Sequence, residues 1–345
     1  MTIELGLLFI ILGIGLSVGL FLLWKEKDTT IVNSPSKAKK IVKLDHESLI
    51  SGLQLLDITQ TQAHTIKGLL QKTIIWQPLL INGLLLALFS GKHILIKSLP
   101  GMAKTLAIKN LAQIVGLSFG RIQGTPDLLP SDLTGLQTRE WETKKGPLFS
   151  NIVLFDEINR TTPKVQSACI QAMEEGQITI ANQSIDLPNP FLLFATANPA
   201  WSKGIYDLPE AQLDRFWLSL ELQYPEHEEE IIRSSSVKAD TIQTKVEIDF
   251  EKNRREIENI TMSDEIITLI TNILQQTRKI PDIIEVGCSP RSGKDLVWIA
   301  KTAAWLQGKT AVEKSDVEAL CESVLAHRIV WKRNKQTPLN QIIFS

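Results

Sequence analysis

Residues 93–112 constrain the fold more than any other part of the chain. An apolar run over 93–96 leads into Lys97-Ser98-Leu99-Pro100-Gly101-Met102-Ala103-Lys104-Thr105, and the segment 106–112 follows, which predicts strand, tight loop and helix. A loop in that setting can cradle polyphosphate. Successive backbone N–H groups and the positive end of the helix surround it, Lys104 reaches the terminal phosphates, and Thr105 is placed for Mg²⁺. The candidate nucleotide-binding residues are Pro100, Gly101, Met102, Ala103, Lys104, Thr105 and Leu106. The usual pattern has glycine at both ends of such a loop, whereas Ser98 and Ala103 stand there and only Gly101 remains inside. Serine at the first position would weaken binding if that residue needed a positive φ.

About fifty residues downstream, Ile152-Val153-Leu154-Phe155 predicts a buried strand that ends on two adjacent carboxylates, Asp156 and Glu157. If the two strands are parallel neighbours, both carboxylates lie beside the loop. Asp156 would then hold Mg²⁺ through water, and Glu157 would polarise the attacking water. Another buried strand is expected over 191–196, ending at Ala197-Asn198-Pro199, where the Asn198 side chain can reach the γ-phosphate or orient the water.

The N-terminal part has a different character. Residues 5–24 carry no charge, and fourteen of the twenty are Leu, Ile, Phe or Val. At about 1.5 Å per residue they reach about 30 Å, the thickness of a bilayer core, which predicts a transmembrane helix. No basic residue precedes this segment, which argues against a cleaved signal peptide. Lys25, Lys27, Lys37, Lys39, Lys40 and Lys43 all follow it, so the bulk of the chain is expected on the cytoplasmic side of the inner membrane. Residues 25–48 read as a flexible basic tether. The apolar stretch 79–89 is too short to span and is interrupted by Asn82, so a buried helix is expected there.

The bulk properties narrow the function. A net charge of −1 and 6% aromatic residues, with no basic stripe carrying interleaved rings, argue against a nucleic-acid groove. Cys169, Cys288 and Cys321 are far apart and lack neighbouring histidines, so they are expected as reduced core thiols. Further along, residues 123–146 predict an elaborated loop with a short helix or hairpin, and 163–173 a helix capped by Thr162. A hairpin is expected over 178–187 and a strand near 216–222. After the acidic and polar stretch 226–248 the chain reads as helical. Ser263 caps one of these helices, and Ser315 and Glu318 have capping-box spacing in the last.

Several of these stretches together resemble the MoxR family of AAA+ ATPases. They are Arg121-Ile122-Gln123 followed by Thr125-Pro126-Asp127-Leu128-Leu129-Pro130-Ser131-Asp132, Gly146-Pro147-Leu148-Phe149, Phe155-Asp156-Glu157-Ile158-Asn159-Arg160, Phe194-Ala195-Thr196-Ala197-Asn198-Pro199, Leu208-Pro209-Glu210-Ala211-Gln212-Leu213-Asp214-Arg215-Phe216, Ser289-Pro290-Arg291 and His327-Arg328. The resemblance covers residues 69–331. It implies an α/β P-loop core with a five-stranded parallel sheet and a helical lid; the composition shift after Pro225 puts that core at 49–225, a linker at 226–248 and the all-α lid at 249–345. It places Lys104 and Thr105 in Walker A, Asp156 and Glu157 in Walker B, Asn198 at sensor 1, Arg215 at the arginine finger and Arg291 at sensor 2. It also implies ATP and Mg²⁺ as cofactors and a homo-oligomer, usually a hexameric ring with ATP between neighbours. Chaperone-like remodelling, activation or metal loading of client proteins, often ones with a von Willebrand factor A domain, is the implied function.

Trp76-Gln77-Pro78 departs from the family pattern near the adenine, and the membrane segment is an addition to it. Two other readings keep the same residues. A nucleotide-binding assembly scaffold would hydrolyse little or no ATP because of Ser98, and a nucleic-acid motor would need a basic surface that the charge balance does not supply.

Overall fold

Three short strands buried on both faces, and two edge strands that alternate, decide the architecture. The computed structural model describes residues 52–74, 77–137, 143–181, 183–198, 206, 208–224, 229, 244–332, 338, 339 and 343. The expected transmembrane segment, the tether, Trp76 and most of the 226–248 linker lie outside these residues. Among the described residues no helix is long and apolar enough to cross a membrane.

After a single 3₁₀ turn, Gly52–Leu55, come helices α1 (Thr61–Gln71) and α2 (Pro78–Ser90). Gly68 lies inside α1, and Pro78 begins α2, at a position where its missing N–H costs nothing. Every residue of α2 from Leu80 to Ser90 is buried, as expected for the apolar stretch. Asn82, which interrupts that stretch, turns its amide to the carbonyls of Leu53, Gln54 and Leu56 at 3.0, 3.2 and 3.3 Å and so ties the 3₁₀ turn to the helix.

Strand β1 (Ile94–Ser98) leads through the loop to α3 (Lys104–Val115), and β2 (Phe119–Gln123) follows. The elaborated loop contains both a short helix, α4 (Pro130–Thr134), and a hairpin, β3 (Gly135–Gln137) with β4 (Thr143–Lys145). Strand β5 (Ile152–Asp156) precedes α5 (Pro163–Glu175). The antiparallel pair β6 (Gln177–Ile180) and β7 (Gln183–Asp186) forms the expected second hairpin. Then come β8 (Leu192–Ala197), the single turn α6 (Glu210–Leu213) and β9 (Leu218–Leu222).

The five long strands form one parallel sheet in the order β2-β5-β8-β1-β9. The condition that the loop strand and the Asp-Glu strand be parallel neighbours is met in part: they are parallel, but β8 runs between them. Period-two alternation gives the sheet two apolar faces. Ile94, Ile96, Ile152, Leu154, Leu192, Phe194, Leu218 and Leu220 face one core, which continues into α2, α3 and the C-terminal helices. Leu95, Val153, Phe155, Leu193 and Ala195 face the other, with α5 and the β6–β7 hairpin.

The C-terminal part holds α7 (Phe250–Glu258), α8 (Asp264–Arg278), α9 (Pro290–Leu306) and α10 (Lys314–Leu325). It is not wholly helical, because β10 (Ile284–Val286) pairs antiparallel with β11 (Val330–Trp331). Ser263 caps α8 as expected, accepting from the Ile266 N–H. The last helix begins earlier than its Ser315 signal. The Asp316 carboxylate accepts from the Glu313 N–H at 2.9 Å, so the cap lies at Glu313 and Asp316 rather than at Ser315 and Glu318. Thr162 occupies the N-cap position of α5, but its hydroxyl makes no capping bond. Helices α2 and α9 pack through the shared core, and the Trp298 indole N–H donates to the Ser90 carbonyl at 3.0 Å. Leu49–Ser345 is accordingly one compact unit.

Candidate functional site

The carboxyl ends of parallel strands meet the amino ends of the helices that follow, so polar groups there face a common edge. Three of these ends build the candidate site. At the end of β1 the chain turns through Gly101 at φ 84° and Ala103 at φ 54° before α3 begins. Ser98 is not among the residues of positive φ, so serine there carries no backbone strain; the strain falls on Ala103, an L-residue in the left-handed region. The Ser98 hydroxyl instead accepts from the Lys104 ammonium, which also donates to the Leu99 carbonyl at 3.1 Å. Burial lowers the Lys104 pKa, while the charges of Asp156 and Glu157 oppose that shift and mark both carboxylates as electrostatic neighbours of the lysine.

The ends of β5 and β8 are tied together. The Thr196 hydroxyl donates to Asp156 at 2.7 Å and accepts from the Glu157 N–H at 2.8 Å. Asn198 donates through its amide to the Glu157 carboxylate at 3.0 Å. Asn159 holds the Asn198 backbone on both sides, donating to its carbonyl at 2.9 Å and accepting from its N–H at 3.1 Å. Glu157 itself sits at φ 56°, a conformation unfavourable for its residue type, fixed by these bonds and by the 3₁₀ turn Ile158–Arg160 that it begins.

Residues to which the sequence reading gave no role complete the surroundings. Register sets Gln123 of β2 opposite Asp156. Gln123 donates to the second Glu157 oxygen at 3.3 Å, and Arg160 donates to the same oxygen at 3.0 Å. Arg121 pairs with Asp156 at 3.1 Å. Gly124 donates its N–H to the Asp156 carbonyl at 2.7 Å, and a Cβ there would lie 2.2 Å from the Glu157 carbonyl oxygen. The Gly124→Ala variant must therefore displace the end of β5, and its ATP turnover is expected to fall about 10- to 100-fold. Phosphate release together with a thermal melt measures this, and a variant within twofold of the parent would show that this backbone tolerates movement.

The remaining two candidates have different partners. Arg215, after α6, pairs with Glu174 of α5. Arg291, in the first turn of α9, faces Asp214 at 3.9 Å. Thus Asp156, Glu157 and Asn198 form one hydrogen-bonded group through Thr196, with Lys104 as its electrostatic neighbour and Thr105 next to Lys104 in the chain, while Arg291 faces Asp214, the residue before Arg215.

The first group suits a magnesium–nucleotide ligand. Ala103 provides no side-chain cap for α3, so the first-turn N–H groups are left for an anion, and a Cβ on Gly101 would meet nothing within 4 Å. Among the described residues no cluster of three or more His, Cys, Asp or Glu could cage a metal. The hard oxygens of Asp156 and Thr105 match Mg²⁺, which typically takes one or two protein oxygens together with phosphates and water.

Comparison with known proteins is consistent with this geometry. Residues 93–218 match the ATPase family associated with various cellular activities (AAA), and residues 280–343 match the AAA lid domain. The chain is 41% identical over 256 residues to the uncharacterized protein YeaC of Bacillus subtilis, covering 71% of this chain and 80% of that one. It is 33% identical over 288 residues to the chaperone MoxR1 of Mycobacterium tuberculosis, covering 78% of this chain and 76% of the relative. A crystal structure from Cytophaga hutchinsonii, described provisionally as an ATPase, superposes with a TM-score of 0.76 at 34% identity, covering 86% of this chain and 96% of that one.

Proposed function

The chain belongs to the MoxR family of AAA+ ATPases and is an ATP hydrolase, and we propose that it is a membrane-tethered ring that spends ATP on remodelling a client protein. The observation that carries the hydrolytic reading is the Glu157 carboxylate, held by Asn198 at 3.0 Å on the edge that also presents Lys104 and Thr105. In this reading the N–H groups of residues 100–106 and the Lys104 ammonium bind the phosphates of ATP. Thr105 and Asp156 would hold Mg²⁺, which would supply charge neutralisation at the transferred phosphoryl group. Glu157 orients a water and takes its proton at a carboxylate oxygen, and Asn198 fixes that carboxylate. Arg215 acts on the neighbouring subunit's nucleotide, and Arg291 reads its own.

Residues 5–24 are assigned as a single-pass anchor in the inner membrane, with the ATPase on the cytoplasmic side and a client at or in the bilayer. The charge pattern after residue 24 supports that orientation. A client with a von Willebrand factor A domain follows from the family alone.

Affinity capture of the full-length Glu157→Gln variant in mild detergent with ATP tests the assembly. The expected product is a hexamer-sized particle that retains nucleotide and client. Recovery of a monomer without nucleotide would overturn both the ring and its chemistry.

A further inference from the structure

Lid and core meet at a buried charge cluster beside Arg215. Arg328 ends the short 3₁₀ turn after α10, and its side chain is only 2% exposed. Its guanidinium pairs with Asp295 of α9 at 2.7 Å, faces one oxygen of Asp214 at 3.5 Å and donates to the Phe216 carbonyl at 3.0 Å. The neighbouring His327 meets that same carbonyl through Nε2 at 2.9 Å. Burial pushes the His327 pKa down to about 3, so the ring is neutral and donates here. The second oxygen of Asp214 faces Arg291 at 3.9 Å. Asp214, Arg215 and Phe216 are consecutive, so three lid side chains, Arg291, His327 and Arg328, grip the residues on either side of Arg215.

A buried ion pair is poor support for stability alone, because desolvation offsets most of its attraction. Its geometry is the more informative property. Arg328 contacts both the residue before Arg215 and the residue after it, so any lid movement that shifts Arg328 shifts the base of the Arg215 side chain. On the reading that Arg215 acts in trans, we infer that Asp295, Arg328 and Asp214 form a strut from the lid to the finger segment, making Arg328 a positioning residue for hydrolysis at the neighbouring site. Because Asp214 also faces Arg291, the strut relays the state of a subunit's own site to the next one.

Mixing experiments with the full-length chain in mild detergent separate this role from docking of the lid. Arg328→Met combined with Asp295→Asn removes both buried charges, so neither is left unpaired. Its kcat is expected to fall about 10- to 100-fold with KM for ATP within about twofold. Mixed 1:1 with Glu157→Gln, which keeps an intact finger, it should regain turnover severalfold above the mean of the two proteins alone. Mixed with Arg215→Ala it should regain none. The reverse pattern, rescue by Arg215→Ala but not by Glu157→Gln, would place the defect in the subunit's own site and overturn the strut. Turnover within twofold of the parent would also overturn it. A 1:1 mixture of Arg215→Ala and Glu157→Gln is the control, since failure of that pair to regain turnover would refute the trans reading itself. Should the double variant fail to fold, Asp214→Asn carries the same test at a residue 29% exposed.

Discussion

Glu157→Gln is expected to lower ATP turnover of the full-length chain by about 10²- to 10⁴-fold, the range lost with a positioned general base. ATP binding should persist, because Lys104, Thr105 and the uncapped start of α3 are untouched. The substitution is close to isosteric, and the Glu157 side chain is 26% exposed, so the fold should be retained. One amide oxygen can keep the 3.0 Å bond from Asn198. The amide nitrogen then faces Gln123 and Arg160, both donors, so the variant loses those contacts as well as the base. Phosphate release and equilibrium binding of a fluorescent ATP analogue separate the two effects. Turnover within threefold of the parent would remove Glu157 from the mechanism and revive the scaffold reading.

The three central strands of the sheet were legible because they are buried on both faces. Such strands read as short continuous apolar runs, and 94–96, 152–155 and 191–195 do so. Their order was not legible, because nothing local in residues 191–196 says that β8 inserts between β1 and β5. The same insertion explains the site: it puts Thr196 and Asn198 against Asp156 and Glu157, so the strand that separates the two motifs also joins them. Arg121 and Gln123 are exposed polar residues on β2 at the sheet edge, and only register brings them to the carboxylates. At Ser98 and Ala103 the sequence raised the right question at the wrong residue. Strand β1 extends through Ser98 and keeps it out of the left-handed region, and the turn into the helix places that demand on Ala103. At α10, Asp316 caps better than Ser315 because its carboxylate is charged, buried and also paired with Lys309 at 2.8 Å.

Arg215→Ala is expected to have the larger effect on catalysis and almost none on the fold. Where an arginine finger has been supplied to a phosphoryl-transfer site its contribution is about 10³- to 10⁵-fold in rate, and a loss of that order is expected in kcat. KM should change little, since the side chain pairs with Glu174 of α5 rather than with the phosphate loop. Its partner is Glu174 at the end of α5, in a pair whose side chains are 25% and 43% exposed. Pairs so exposed contribute about 1 kcal/mol at most, so the thermal midpoint should scarcely move. The same exposure lets the guanidinium leave Glu174 for a neighbour's nucleotide at little cost. Glu174→Gln should therefore leave turnover intact or raise it, and this outcome distinguishes a resting partner from a catalytic one. Single-turnover and steady-state phosphate release for both variants, with assembly size measured alongside, test the assignment. A fall of less than tenfold for Arg215→Ala, or an equal loss of ATP binding, would exclude Arg215 as the finger. Action in trans has a further consequence for the unmodified protein. Its turnover per subunit should decline on dilution as neighbours separate, whereas a finger acting within one chain would keep it constant.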